Sequence, residues 1–173
     1  VVNAPTGNTI AAAEHTMALM LALARNIPQA FVSLRQGEWR RGDFVGIELR
    51  NRTLGIIGLG NIGREVARRA QSLEMRLVGS DPFTSPDYAQ RFGVELVSLD
   101  RLMMESDFIT VHTPLTEATH NLIGRRELQQ VKPTVRIINC ARGGLIDEEA
   151  LFEALEAGKV AGAALDVFEH EPP

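Results

Sequence analysis

The sequence predicts an α/β fold, a doubly wound parallel sheet preceded by a long helix suited to an interface. Three observations predict it. Short apolar runs without polar alternation recur along the chain, as at 54–57, 108–111 and 161–165, and strands buried on both faces of a parallel sheet read this way. Stretches of helical periodicity separate those runs, the pattern of βα units. The stretch 53–64, T-L-G-I-I-G-L-G-N-I-G-R, then joins a buried strand to a helix through G-x-G-x-x-G.

Taken in order, residues 1–8 read as a strand end and a turn (Asn3, Pro5, Gly7). Asn8 or Thr9 caps a helix running to about Asn26, with Pro28 just beyond as a stop. Ile10, Ala13, Met17, Met20, Leu21 and Ala24 form one stripe of that helix, and alanines and leucines cover much of the rest. A helix apolar nearly all round needs burial on several sides, which points to a domain or subunit interface. Residues 35–50 are rich in arginine and glycine and read as irregular, with Trp39 and Phe44 packed on a neighbour. Thr53–Ile57 is the first strand. Ile62, Val66, Ala70 and Leu73 mark the helix behind the glycines. The second strand covers 76–80, followed by a short helix near 87–92 and a strand at 94–97. A helical turn covers 99–104 and a buried strand 108–111. A helix at 125–131 leads to a strand at 135–138. Asp147 then caps a helix with Glu148 and Glu149 in its first turn, Ile146 stapling onto Leu151 and Gly158 ending it. The last strand covers 161–165.

Each glycine of the loop has a physical task. Gly58 permits the tight turn, Gly60 lets a pyrophosphate approach the backbone, and Gly63 lets helix pack on strand. Phosphates would lie over free N–H groups at the helix N-terminus, where the dipole favours anions. The second strand ends in Asp81, 18 residues past Gly63, the spacing of a carboxylate that accepts from an adenosine ribose. A surface aspartate opening a turn before Pro82 is the competing reading. Asp81 would repel a 2′-phosphate, and no arginine follows it directly, so NAD is favoured over NADP.

Composition excludes other classes. At 173 residues and 45% hydrophobic the chain has ample core, and a net charge of −4 with no basic run argues against nucleic acid as a partner. A single cysteine suits a reducing compartment, and the cytoplasm is the expected location. The most apolar segment, 10–24, holds Glu14 and His15 and is too short and polar for a membrane span. No cluster points to a metal. The chain opens on Val1-Val2 and ends at Pro172-Pro173, and so reads as a piece of a longer protein.

In open α/β sheets ligands bind outside the carboxyl ends of the strands. The residues just past those ends are 112–114, 140–144 and 166–167. Arg142, on a glycine-rich turn, presents a planar, permanently charged fork suited to a substrate carboxylate, or else pairs with Glu148 or Glu149. Cys140 reads as a small residue whose backbone lines the crevice rather than a nucleophile, because no histidine stands at a partner position. Asp166 ends an apolar strand and needs a polar partner, a cofactor amide or a backbone N–H. Thr113 is favoured as a cofactor contact. His112 reads as structural, His120 as a loop residue, and His170 as a solvated tail residue.

Together these stretches resemble the D-2-hydroxyacid dehydrogenase family. The carriers are N-A-P-x-G-N (3–8), I-P-Q-A (27–30), the glycine stretch through Ala67, D-F-I-T-V-H-T-P-L (107–115), N-C-A-R-G-G-L-I-D-E (139–148), A-G-A-A-L-D-V-F (161–168) and E-P-P (171–173). The resemblance implies a Rossmann-type NAD-binding domain inserted into a substrate domain whose segments lie at both chain ends. Residues 1–173 would be the nucleotide domain alone, with the interface helix and irregular connection in 1–50, the core in 51–173, and a homodimer built through 9–27. It further implies that Asn61 and Ile62 hold the pyrophosphate, and that Thr113, Cys140, Ala141, Arg142 and Asp166 line the cofactor. Arg142 would orient the carboxylate and carbonyl of a small 2-hydroxy acid. Glu171 would support a histidine that stands, in this family, in a P-H-x-G motif; the sequence contains none, and His170 does not stand in one. NAD-driven corepressors of transcription share the fold and most of these motifs, and are the alternative reading; glyoxylate or hydroxypyruvate reduction is the rival within the family.

Overall fold

The computed structural model describes residues 7–173; most of the expected N-terminal strand end, residues 1–6, lies outside them. Six parallel strands form one sheet, β1 (Thr53–Ile57), β2 (Arg76–Ser80), β3 (Val94–Leu96), β4 (Phe108–Val111), β5 (Arg136–Asn139) and β6 (Gly162–Leu165), in the order β3-β2-β1-β4-β5-β6. The order reverses direction between β1 and β4, so the chain leaves these two neighbours toward opposite sides and opens a crevice at their carboxyl ends.

The pleat divides the apolar strand residues between two cores. Leu54, Ile56, Phe108 and Ile138 pack beneath α1 (Thr9–Ala24) and α3 (Asn61–Ser72), together with Met17, Met20, Val66 and Ala70. Ile57, Val78, Ile109, Val111 and Ile137 face the other way, against Leu102, Leu128 and Leu151. Those come from α5 (Leu99–Glu105), α6 (Arg125–Leu128) and α7 (Glu148–Glu156). α4 (Pro86–Gln90) bridges to β3. Both faces of the sheet are therefore covered, as continuous apolar strands require.

Local signals account for the ends. Asp147 accepts from Ala150 N at 2.9 Å, capping α7, and Gly158 follows it at φ +67°. Ile146 and Leu151, the expected staple, are both buried in the same core. Ser85 and Ser98 cap α4 and α5 in the same way.

The N-terminal region departs from expectation. Pro28 does not end the helical region but opens a second helix, α2 (Ile27–Arg35). Asn26, at φ +53°, turns the chain after α1, and proline in the next first turn sacrifices no hydrogen bond, because that N–H is an orphan in any helix. The segment expected to be irregular holds a 3₁₀ turn at Arg41–Phe44. Trp39 is 75% exposed rather than packed within the chain, and Phe44 is half-buried. α1 buries Ala13, Thr16, Met17, Met20 and Ala24 but leaves Ile10 and Leu21 in solvent, so its burial is one-sided. α6 stops at Leu128 and 129–130 form turns, where the reading carried the helix to Val131; Pro133 follows closely and disfavours helix in the residue before it.

Candidate dinucleotide site

The glycine loop is built as its spacing demands. Gly58 sits at φ +90°, and a Cβ there would lie 2.7 Å from His112 O, so the β1 end presses directly on the β4 end. A Cβ on Gly63 would run into the Gly58 carbonyl, which lets α3 start against the strand. Gly60 has nothing within 4 Å of where its Cβ would be. The space kept open there lies on the crevice side, because Gly60 lines a cavity of about 930 Å³. Gly60 is also the N-cap of α3 and offers no capping side chain, which leaves the first-turn N–H groups, including those of Asn61 and Ile62, without a side-chain acceptor.

Asp81 is fixed from both sides. Oδ2 accepts from Leu59 N at 2.7 Å and Oδ1 from Phe83 N at 2.8 Å. The second bond is the turn of the competing reading; the first ties the carboxylate to the glycine loop. Each oxygen keeps a further lone pair. Gly58, Gly60, Asp81 and Thr113 all line the same cavity. Thr113 Oγ1 is buried there without a hydrogen-bond partner among the described residues, which calls for a ligand group. Asn61 opens instead on a neighbouring groove beside Arg64, which donates to its side chain at 2.5 Å. Ile62 and Gly63 pack inward.

Further along the same sheet edge stand Cys140, Ala141, Arg142 and Asp166, outside that cavity. Asn139, buried at the end of β5, shapes this turn: its Nδ2 donates to Arg142 O at 2.9 Å and its Oδ1 accepts from Ala141 N at 3.0 Å. Arg142 is exposed, donates to Ala141 O at 2.6 Å and makes no ion pair among the described residues. The alternative pairing with Glu148 or Glu149 does not form; Glu148 instead accepts from Glu169 N at 2.7 Å. Burial pushes the Cys140 thiol up from 9.0, against reactivity as a thiolate. No backbone N–H reaches the Asp166 carboxylate among the described residues; His15 of α1 lies 3.3 Å from its Oδ1. Glu171 is exposed and accepts from Phe168 N at 3.0 Å, making no ion pair with Arg142.

His112 is neutral. Its pKa falls from 6.5 to about 4 through burial, and Nε2 lies 3.0 Å from Thr110 Oγ1. His120, a loop residue as read, pairs with Glu169 at 3.2 Å. Sequence reasoning passed over Asn139, His15, and the cavity walls at 82–85 and 116–122. Phe83, 96% exposed beside Asp81, is among those wall residues. Its place two residues after the acid was the one available signal. Among the described residues, no three metal-ligating side chains gather, and no single helix is long and apolar enough to cross a membrane.

A sheet in this order, with a glycine loop, an uncapped helix start and an anchored acid at its switch point, defines a dinucleotide-binding domain. Comparison with known proteins narrows this. The family model for the D-isomer specific 2-hydroxyacid dehydrogenase NAD binding domain matches residues 17–173. D-3-phosphoglycerate dehydrogenases are similar over the whole chain: 56% identical in Archaeoglobus fulgidus, 55% in Methanocaldococcus jannaschii and 53% in Bacillus subtilis. The chain spans about 33% of the length of each of these relatives. Among solved structures, the pyruvate reductase of Chlamydomonas reinhardtii superposes with a TM-score of 0.92 at 38% identity, over 99% of this chain and 50% of that one. A D-lactate dehydrogenase from Aquifex aeolicus, complexed with NAD and lactic acid, gives 0.86 at 35% identity, over 92% and 48%. The chain belongs to the D-isomer-specific 2-hydroxyacid dehydrogenase family and is its NAD-binding domain.

Proposed function

We propose that this chain is the nucleotide half of an NAD-dependent 3-phosphoglycerate dehydrogenase, which oxidises 3-phosphoglycerate to 3-phosphohydroxypyruvate at the entry to serine biosynthesis. The observation that carries the reading is the exposed guanidinium of Arg142 on the carboxyl edge of a dinucleotide crevice: it donates to Ala141 O and makes no ion pair among the described residues. Identity above one half to enzymes named for that substrate supports the choice within the family, as do I-P-Q-A and the segment 35–50.

The residues divide the work. The first-turn N–H groups of α3 at Asn61 and Ile62, with Gly60 leaving room, hold the pyrophosphate. Asp81 accepts from the adenosine ribose hydroxyls and rejects a 2′-phosphate, which favours NAD over NADP. Thr113 supplies its spare hydroxyl, and Cys140 and Ala141 line the nicotinamide end with backbone. Asp166 accepts from the carboxamide. When bound, NAD supplies the hydride acceptor. Arg142 takes the substrate carboxylate bidentately and steadies the carbonyl oxygen as it forms. Glu171 favours the charged form of a histidine that exchanges the hydroxyl proton.

Around this half we place a substrate domain built from chain beyond both ends, a homodimer through α1, and a cytoplasmic location. Exposed Ile10, Leu21 and Ile27 support the dimer. The test is made on the full-length protein. Turnover of 3-phosphoglycerate should exceed that of D-lactate or D-glycerate, and Arg142→Ala should abolish it while NADH affinity holds. Preference for an unphosphorylated acid would overturn the substrate, and an active Arg142→Ala the role of Arg142.

A further inference from the structure

α1 reaches the cofactor edge with two polar side chains, although it lies outside the βα units of the core. His15 Nε2 stands 3.3 Å from Asp166 Oδ1, with each side chain about half exposed. Its neighbour Thr16 is buried, donates to Ala12 O at 2.8 Å and lies against Cys140. One helix thus backs the ends of both β5 and β6, and it does so where the nicotinamide end of the crevice begins.

We propose that His15 is a positioning residue of the cofactor site: it orients the Asp166 carboxylate, and its charge sets the preference between oxidised and reduced dinucleotide. This rests on the reading of Asp166 as acceptor for the carboxamide. His15 stands on the Oδ1 side of the carboxylate, and Oδ2 is the oxygen turned away from it to accept. The two redox forms differ at this end by one unit of charge, since the nicotinamide ring is cationic in NAD+ and neutral in NADH. A bare carboxylate beside the ring favours the cation. A protonated His15 cancels that carboxylate and removes the advantage, while a neutral His15 leaves the negative charge in place. Affinity for NAD+ relative to NADH therefore falls as His15 gains its proton.

The other ionisable groups around α1 do not confuse this. Cys140 at the end of β5 is kept protonated by burial. Glu14 of α1 turns to Arg69 of α3, at 3.5 Å. Arg142 carries a permanent charge, and Arg35 of α2 lies over Phe31. Carboxylates and guanidinium groups do not titrate in the interval from about pH 5 to 8 where histidine does.

The experiment titrates the 173-residue chain with NAD+ and NADH separately by calorimetry, between about pH 5.5 and 8.5. The ratio of the two dissociation constants cancels everything shared by the ligands, including pyrophosphate and adenosine. In the parent chain the ratio Kd(NAD+)/Kd(NADH) should rise roughly three- to tenfold toward the acid end, the scale of one charge several ångströms away in a partly solvated site. His15→Gln, which retains a donor without a charge, should flatten the profile, and so should Asp166→Asn. Asp81→Ala should weaken both ligands alike and leave the slope intact. A flat profile in the parent, or an unchanged slope in His15→Gln, overturns the role of His15 while the NAD site stands. Failure of the parent to bind either form would overturn the cofactor reading itself and this inference with it. Both altered side chains are half exposed, so the variants should melt close to the parent.

Discussion

His112 stands just beyond β4, with its carbonyl against Gly58 and its ring closed in under the crevice. Burial holds its pKa at about 4, against an ordinary 6.5, and this makes stability depend on pH with a definite sign. An unfolded chain protonates this imidazole near its ordinary value, whereas the folded one resists until about pH 4. Between those limits the unfolded state binds more protons, so stability falls as pH falls. The contribution is complete above about 6.5, is lost as pH drops through the folded value, and amounts to roughly 1–3 kcal/mol. Glu65, Glu95, Glu105 and Glu153 are also held below their ordinary 4.5 by paired arginines. They act in the same direction, but in a more acid window and from exposed positions where solvent screens them. Thermal melts from pH 8 to 4 should show a loss beginning near pH 6.5 in the parent and absent in His112→Gln. An equal slope in both would assign the loss to other groups. At this scale the sequence was legible where chemistry and spacing were local. Gly58 and Gly63 shape the loop as their positions announced, and Asp81 is anchored to it. Asn139 and His15 were not legible, because the partners that give them meaning are backbone atoms in a folded turn and a carboxylate more than a hundred residues away.

Among the elements, the strand–loop–helix unit around residues 53–72 was readable because its apolar run, glycines and 3.6-residue periodicity agree. The same logic fixed the capped helix α7, whose start and stop both stand in the sequence. α2 was hidden by Pro28, which serves equally as a stop after one helix and as the opening of the next; only the left-handed turn at Asn26 decides between them. Its apolar residues also lack an internal partner. Phe31 is 58% exposed and Leu34 57%, and Ile10, Leu21 and Ile27 extend the same kind of surface along the first two helices. We propose that these exposed apolar side chains belong to an interaction surface, which a second copy presenting the same helices would close symmetrically. The chain should therefore sediment as a dimer at micromolar concentration, and Leu21→Asp combined with Phe31→Asp should yield a folded monomer. A parent chain that sediments only as monomer would refute the dimer.

For the molecule as a whole, binding and turnover separate. In the proposed site, the crevice at the β1/β4 switch point recognises the dinucleotide through the open approach at Gly60, the uncapped start of α3, the anchored Asp81 and the Thr113 hydroxyl, unpartnered among the described residues. All stand just past the carboxyl ends of strands buried on both faces, whose packing supports the site's shape. Hydride transfer from a 2-hydroxy acid demands more. A base must stand within hydrogen-bond reach of the hydroxyl, and the substrate must be held against the nicotinamide by more than one cation. In the proposed mechanism Arg142 provides the cation, but Glu171 accepts from Phe168 N and meets no histidine side chain among the described residues. His112 is neutral and turned to Thr110, and His120 is paired with Glu169. Losing general acid–base help alone costs about 10²–10⁴-fold, and losing orientation removes up to roughly 7–11 kcal/mol more. The 173-residue chain should therefore bind NADH, detectable by calorimetry or by quenching of Trp39, yet show no turnover of 3-phosphoglycerate in a steady-state assay. Arg142→Ala should leave that NADH affinity unchanged, because a substrate clamp contributes nothing while substrate is absent. A rate near that of the full-length enzyme would show that His120 or His170 can take up the proton after all, and the division of labour between the two halves would have to be redrawn.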